Sequence, residues 1–147
     1  MNLHRVSRDD WIVSAFALVL AIAVLFLPWF SITVGVGAFT LSVTATATDA
    51  PDGWLGVIAA LATVAVIADL AIDRLSPQTE LPAIGGSRDT TRFVFAVIAA
   101  ACIGLKFVLH IHFDYFGWGF YVAVVAAAGL VYFTLQARNA GTPTGVY

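Results

Sequence analysis

From Trp11 to Phe30 the chain carries no charged side chain, and that run limits what the polypeptide can fold into. About 20 apolar residues in a helix are enough to cross roughly 30 Å of hydrocarbon. Three further runs have the same character: 54–72, interrupted by Asp69; 93–112, which carries Lys106 and ends near His110 and His112; and 119–137, without a charge. The expected fold is an all-α membrane protein. It is a four-transmembrane-helix bundle forming one domain over 1–147, with helices at about 11–30, 54–72, 93–112 and 119–137. Composition points the same way. The chain is 61% hydrophobic and 11% charged, against about 45–50% and about 25% in soluble domains, and its mean hydropathy is +0.93. Trp11, Trp29, Trp54, Tyr115, Trp118 and Tyr121 lie at or near the ends of the runs, where amphipathic rings sit at headgroup level. The first run exceeds the 7–15 residues of a signal-peptide core, so it is expected to be a retained helix.

The arginines orient the bundle. Arg5 and Arg8 precede the first helix, Arg74, Arg88 and Arg92 flank the connection between the second and third, and Arg138 follows the fourth. In a four-helix arrangement all six fall on one side. The positive-inside rule places both termini and the 73–92 loop in the cytoplasm of a multi-pass plasma-membrane protein. Pro77, Pro82 and the Gly85-Gly86 pair mark that loop as irregular. Arginine in place of lysine, with abundant Ala and Val, is the usage of a bacterial genome rich in GC. The formal net charge of −2 offers no basic face for nucleic acid. A single cysteine, Cys102, supports neither a disulfide framework nor a thiolate metal site.

The outer loop after the first helix has period-2 alternation. Phe39, Leu41, Val43, Ala45 and Ala47 alternate with Thr40, Ser42, Thr44, Thr46 and Thr48, which is a strand signal. Ser31–Val36 is a shorter strand, and Gly35 and Gly37 provide the turn. The expectation is a β-hairpin over about 31–48. Its apolar side would be covered by an aromatic lid from 113–118, and its polar residues Thr40, Ser42, Thr44 and Thr46 would be offered to a partner. On that basis Leu41→Asp would disturb the outer fold, and Thr44→Asp would spare the fold but weaken partner binding.

Three polar groupings stand out. Lys106, His110 and Asp114 are spaced i, i+4, i+8, one drifting helical stripe near the outer surface. They are candidates either for pairing and snorkelling or for lining a vestibule. His110 and His112 sit about 200° apart on a helix, so they do not share a metal, and no metal or other cofactor is expected. Asp69 and Asp73 lie at the inner end of the second helix, with Arg92 the expected partner for a carboxylate in lipid. Small residues recur at four-residue spacing at Gly56 and Ala60, at Ala96, Ala100 and Gly104, and at Gly119, Ala123 and Ala127, which permits close helix approach.

A first helix closing on Leu27-Pro28-Trp29-Phe30, a Gly/Thr/Ser-rich outer loop, Gly53-Trp54-Leu55 opening the second helix and Gly117-Trp118-Gly119-Phe120-Tyr121 opening the fourth together give a resemblance. The chain resembles a class of uncharacterised small four-helix membrane proteins of actinobacteria. In architecture alone it is similar to claudin-type proteins, whose extracellular sheets carry paired cysteines that this chain lacks. The resemblance implies a cell-membrane location, and the class carries no established activity to transfer.

No Ser-His-Asp or Cys-His signature, Walker loop, HExxH or dinucleotide fingerprint occurs, so the chain is not expected to be an enzyme. The expected function is a non-catalytic integral membrane accessory subunit or scaffold. It would sit in the lipid bilayer and bind another envelope protein, or itself, through the hairpin and an exposed helix face. The alternative is a small oligomeric channel or carrier with Lys106, His110 and Asp114 in an outer vestibule. A lysine directed into the bundle favours the channel; one directed to headgroups favours the subunit.

Overall fold

The computed structural model describes residues 7–111 and 115–141. It is mostly helical. Helices α1 (Arg8–Leu25), α2 (Gly53–Leu75), α3 (Arg88–Leu109) and α4 (Trp118–Gly141) are joined by a hairpin of β1 (Phe30–Val36) and β2 (Phe39–Ala45) between α1 and α2, and by a 3-10 turn, Ile84–Gly86, before α3. Three of these helices, α2, α3 and α4, are long and apolar enough to cross a membrane. α1 has 18 residues, and its first turn carries Arg8, Asp9 and Asp10.

Capping and proline chemistry move the helix ends from where apolar runs alone put them. α1 starts at Arg8 because Ser7 and Asp10 form a reciprocal capping box, which satisfies backbone donors that have no partner inside the helix. It stops at Leu25 and does not reach Phe30. Pro28 disfavours helical geometry at the residue before it, and the chain passes directly into β1. α3 starts at Arg88 because the Ser87 hydroxyl accepts from the Thr90 N–H at 3.1 Å. It ends at Leu109, so His110 lies beyond the helix, while His112 and Asp114 fall outside the described residues.

The helices form a ring in which α1 and α3 each pack on α2 and α4. Its interior is built from small side chains, including Ala17, Ala23, Ala59, Ala62, Ala99, Ala123 and Ala126, around Leu20, Val24, Val66 and Leu130. The outward positions are larger: Leu18, Ile22, Leu61, Val64, Val97, Val125 and Tyr132 are exposed. Buried Thr63 and Thr134 donate to the carbonyls of Ala59 and Leu130, each at 2.7 Å, so neither hydroxyl is left without a partner. Among the small-residue stripes, Gly119, Ala123 and Ala127 are buried, whereas Gly104 has open space beside it.

The hairpin is a two-stranded antiparallel sheet in one register. Phe30 pairs with Ala45, Ile32 with Val43, Val34 with Leu41 and Val36 with Phe39 on one face; Ser31 pairs with Thr44, Thr33 with Ser42 and Gly35 with Thr40 on the other. Gly37 takes φ +64° in the two-residue turn, a conformation glycine adopts without steric cost. The strands stop at Ala45 and do not continue to Thr48. Thr46 is drawn into a turn instead, with its N–H and hydroxyl donating to the Asp49 carboxylate at 2.7 and 2.8 Å. The expected aromatic lid is largely absent from the hairpin among the described residues. Phe116 bridges to Phe30 at the base, but Phe39 is 78% exposed and Leu41 64%.

Candidate functional site: the hairpin and its anchor

The hairpin is rigidly rooted. Trp29, at its first turn of extended chain, is 1% exposed and so is a core residue, not an interface ring. Its indole donates to the Ala23 carbonyl at 2.8 Å, its N–H donates to Ala45 O at 2.8 Å, and its carbonyl accepts from Gly117 N–H at 2.7 Å. The ring meets Phe120 edge-on at 5.4 Å. One residue thus ties α1, β2 and the start of α4 together. Gly117 and Gly119 permit this close approach. A Cβ at Gly117 would lie 2.3 Å from Pro28 O, and one at Gly119 would lie 2.6 Å from Leu27 Cβ.

A second root is Lys106. Its side chain points into the bundle and is 1% exposed. The ammonium donates to the Ala47 carbonyl, with the carbonyls of Asp49 and Asp52 at 3.4 and 3.5 Å, and stands 5.5 Å from the centre of the Phe30 ring. Three main-chain oxygens and an aromatic face replace the water a lysine would otherwise keep. The loop that offers those oxygens lies against α2 because Gly53 and Gly56 have no side chain. A Cβ at Gly56 would be 2.1 Å from Ala47 O and one at Gly53 would be 2.2 Å from Thr48 O. The Gly56 spacing therefore serves a loop–helix contact, where small-residue spacing alone implies a helix–helix one.

His110 is half-buried beside this cage. Its Nδ1 is 3.0 Å from the Lys106 carbonyl, its Nε2 is 3.6 Å from the Asp52 carboxylate, and its ring meets Phe30 at 5.9 Å. The structure thus brings Lys106 and His110 to one loop, while Asp114 lies outside the described residues. Asp49, fully exposed, has its carboxyl held below the ordinary range. The Thr46 N–H is the main cause, with the Thr46 hydroxyl next and the charge of Lys106 adding to both.

Beyond these roots, β1 and β2 have no charged residue, and their apolar face is open. Below that face a groove of about 530 Å³ is lined by Phe30, Ile32, Val43, Ala45, Pro51, His110 and Tyr115 among others. The polar residues expected to meet a partner divide. Thr40, Ser42 and Thr44 are exposed on the opposite face, and Thr46 is occupied by Asp49 and Thr48. Alternation alone identified both faces; beyond the root the fold leaves both uncovered.

No protein-family model, curated protein or solved structure matches the chain.

At the opposite end of the bundle, Arg92 is 6% exposed. It donates through Nε to Asp69, with Asp73 at 2.9 Å and Asp89 at 3.5 Å. Arg88 reaches Asp73 and stands 3.9 Å from Asp69. Arg74 pairs with Asp10, which links α2 to α1. The fork of one guanidinium spans two carboxylates a helical turn apart. This cluster lies at one end of the ring, where Asp73, Arg74, Asp89 and Arg92 line a recess of about 330 Å³ with Asp10, Thr134 and other residues of α1 and α4.

Proposed function

We propose that this chain is a multi-pass integral membrane subunit or scaffold, without catalysis of its own, that associates with another envelope protein through its outer hairpin. The observation that carries the reading is a firmly rooted hairpin whose apolar face is left open. A two-stranded hairpin is marginal in water without something to cover it, and contiguous exposed apolar surface marks interaction sites.

The membrane assignment rests on three helices of spanning length and on the distribution of side chains. Small residues inside and large apolar ones outside suit a ring solvated by acyl chains. We assign α1 as the fourth span because it packs between α2 and α4, with its charged first turn at the same end as the Arg74, Arg88 and Arg92 cluster. By the positive-inside rule, that grouping of arginines supports a cytoplasmic position for that end and for both termini.

The alternative, an oligomeric channel or carrier with an outer vestibule, is favoured by one observation: Lys106 turns into the bundle. The three carbonyls of its own loop surround its ammonium, so the charge serves the hairpin root and the subunit reading ranks first. Affinity purification from native membranes in mild detergent tests the ranking. A stoichiometric partner lost in Leu41→Asp supports the subunit. A homo-oligomer that carries ion flux in vesicles, with Leu41→Asp unaffected, replaces it with the channel.

A further inference from the structure

We propose that His110 and Asp52 form a proton-operated clasp at the hairpin root: a proton taken up by the His110 ring pairs it with the Asp52 carboxylate and fastens the end of α3 to the start of α2. The clasp belongs to the root itself and is independent of whatever meets the hairpin. Its geometry starts from the ring nitrogens. His110 is the C-cap of α3, and its main-chain N–H donates to Phe107 O at 3.1 Å. The Lys106 carbonyl, which a regular helix would pair with that N–H, has His110 Nδ1 at 3.0 Å instead. A carbonyl only accepts, so Nδ1 is the nitrogen that carries the proton of the neutral ring. Nε2 is then a bare acceptor, and it faces the Asp52 carboxylate at 3.6 Å. A proton on Nε2 turns two opposed acceptors into an ion pair, and it places positive charge at a helix C-terminus, where the helix dipole favours it.

The charges of the root favour the same step. Around the ring stand Asp52 from the start of α2, Asp49 from the loop before it and Lys106 from α3. Tyr115 shares the groove beneath the hairpin with His110, and His112 and Asp114 lie outside the described residues. The Lys106 ammonium opposes a second cation, but it is already held by the carbonyls of Ala47, Asp49 and Asp52. Among the described residues, two carboxylates against one ammonium leave the root with one negative charge, and a proton on His110 cancels it. The backbone of Asp52 is the remaining observation. It sits at φ +52° and ψ +40°, in the left-handed region, yet its side chain makes no capping bond to α2. That conformation is unfavourable for a residue with a Cβ. The carboxylate held there is directed instead to the Trp54 indole, at 3.4 Å, and to His110.

The test uses the full-length chain in mild detergent. Asp52→Asn removes the charge and suits a left-handed backbone. His110→Gln removes the titration and keeps an amide donor for the Lys106 carbonyl. Melting temperatures of the wild-type chain, both single variants and the double variant are measured at about pH 5.5 and about pH 8, on either side of imidazole titration. The cycle isolates the part of the Asp52 effect that needs His110, because every other titrating group is common to both backgrounds. At the lower pH, Asp52→Asn is expected to lower the melting temperature by about 2 °C more in the chain with His110 than in the His110→Gln chain. At the higher pH the two losses are expected to agree. If Asp52→Asn does not fold, Asp52→Gly, equally suited to a positive φ, takes its place in the cycle. Coupling of the same size at both pH values, no coupling at either, or coupling larger at the higher pH overturns the proposal. No partner takes part in the measurement, so its failure leaves the docking reading standing.

Discussion

The ammonium of Lys106 on α3 donates to the main-chain carbonyl of Ala47, a residue 59 positions earlier in the chain. Together with the Trp29 contacts, it fixes the hairpin root to the helical ring. Lys106→Met removes the donor and leaves buried carbonyls unpaired, which costs about 1–3 kcal/mol. The expected outcome is a lower melting temperature in detergent and faster protease cleavage within 46–52. Wild-type values for both would show that the cage contributes nothing.

Gly56 and Gly104 form a matched pair of helical glycines with opposite expectations. Replacing glycine by alanine in a helix ordinarily stabilises by about 0.8–1.0 kcal/mol. Gly104→Ala meets nothing within 4 Å and is expected to show that gain. Gly56→Ala places a methyl 2.1 Å from Ala47 O, so backbone must move and the change destabilises. Melting temperatures of the two variants have opposite signs if the loop rests on α2 as described.

Asp49 gives a pH dependence at the root. Its folded-state pKa is lowered by the Thr46 N–H and hydroxyl, so its stabilising effect is full above the unfolded value of about 3.9. That effect is lost as pH falls through the folded value. Asp49→Asn is expected to melt lower than the wild-type chain at pH 7 and to converge with it once pH has fallen below the folded-state value. Parallel curves across that window would contradict the Thr46–Asp49 turn.

Arg92 is the buried member of the inner cluster. Arg92→Met leaves Asp69, 9% exposed, with Arg88 at 3.9 Å as its remaining cation among the described residues, and breaking a buried pair from one side costs up to about 3–5 kcal/mol. Adding Asp69→Leu should recover part of that loss, because a pair replaced by apolar side chains is often tolerated. Expression level and melting temperature of the single and double variants check this.

Topology reporters test the membrane assignment. A fusion in 77–86 or after Arg138 is expected to report the cytoplasm, and one at Gly37 the outside. A C-terminal reporter outside would require an odd number of crossings and would remove α1 from the set of spans.

The helices and the alternation of the hairpin were legible because each is written in a period that local geometry imposes. The Asp69–Arg92 contact was legible as well, since a lone carboxylate in an apolar run demands a cation. What was not legible depends on contacts distant in sequence. Lys106 reads from its depth as a snorkelling or vestibule residue; its real partners are carbonyls more than fifty positions away, and carbonyls leave no mark in a sequence. Trp29 reads as an interface ring because it sits at a run's end, yet the turn at Pro28 swings it inward. Leu41 reads as covered because it alternates with polar neighbours, but alternation states only that two faces differ.

The alanine interior of the ring has a consequence for permeability. Ala17, Leu20, Ala23, Val24, Val66, Ala99, Ala123 and Leu130 are all at 0% exposure, so small side chains let the helices approach closely and no water-sized space touches this stretch of the interior. In this arrangement the named side chains leave no water-sized path past them from one end of the bundle to the other.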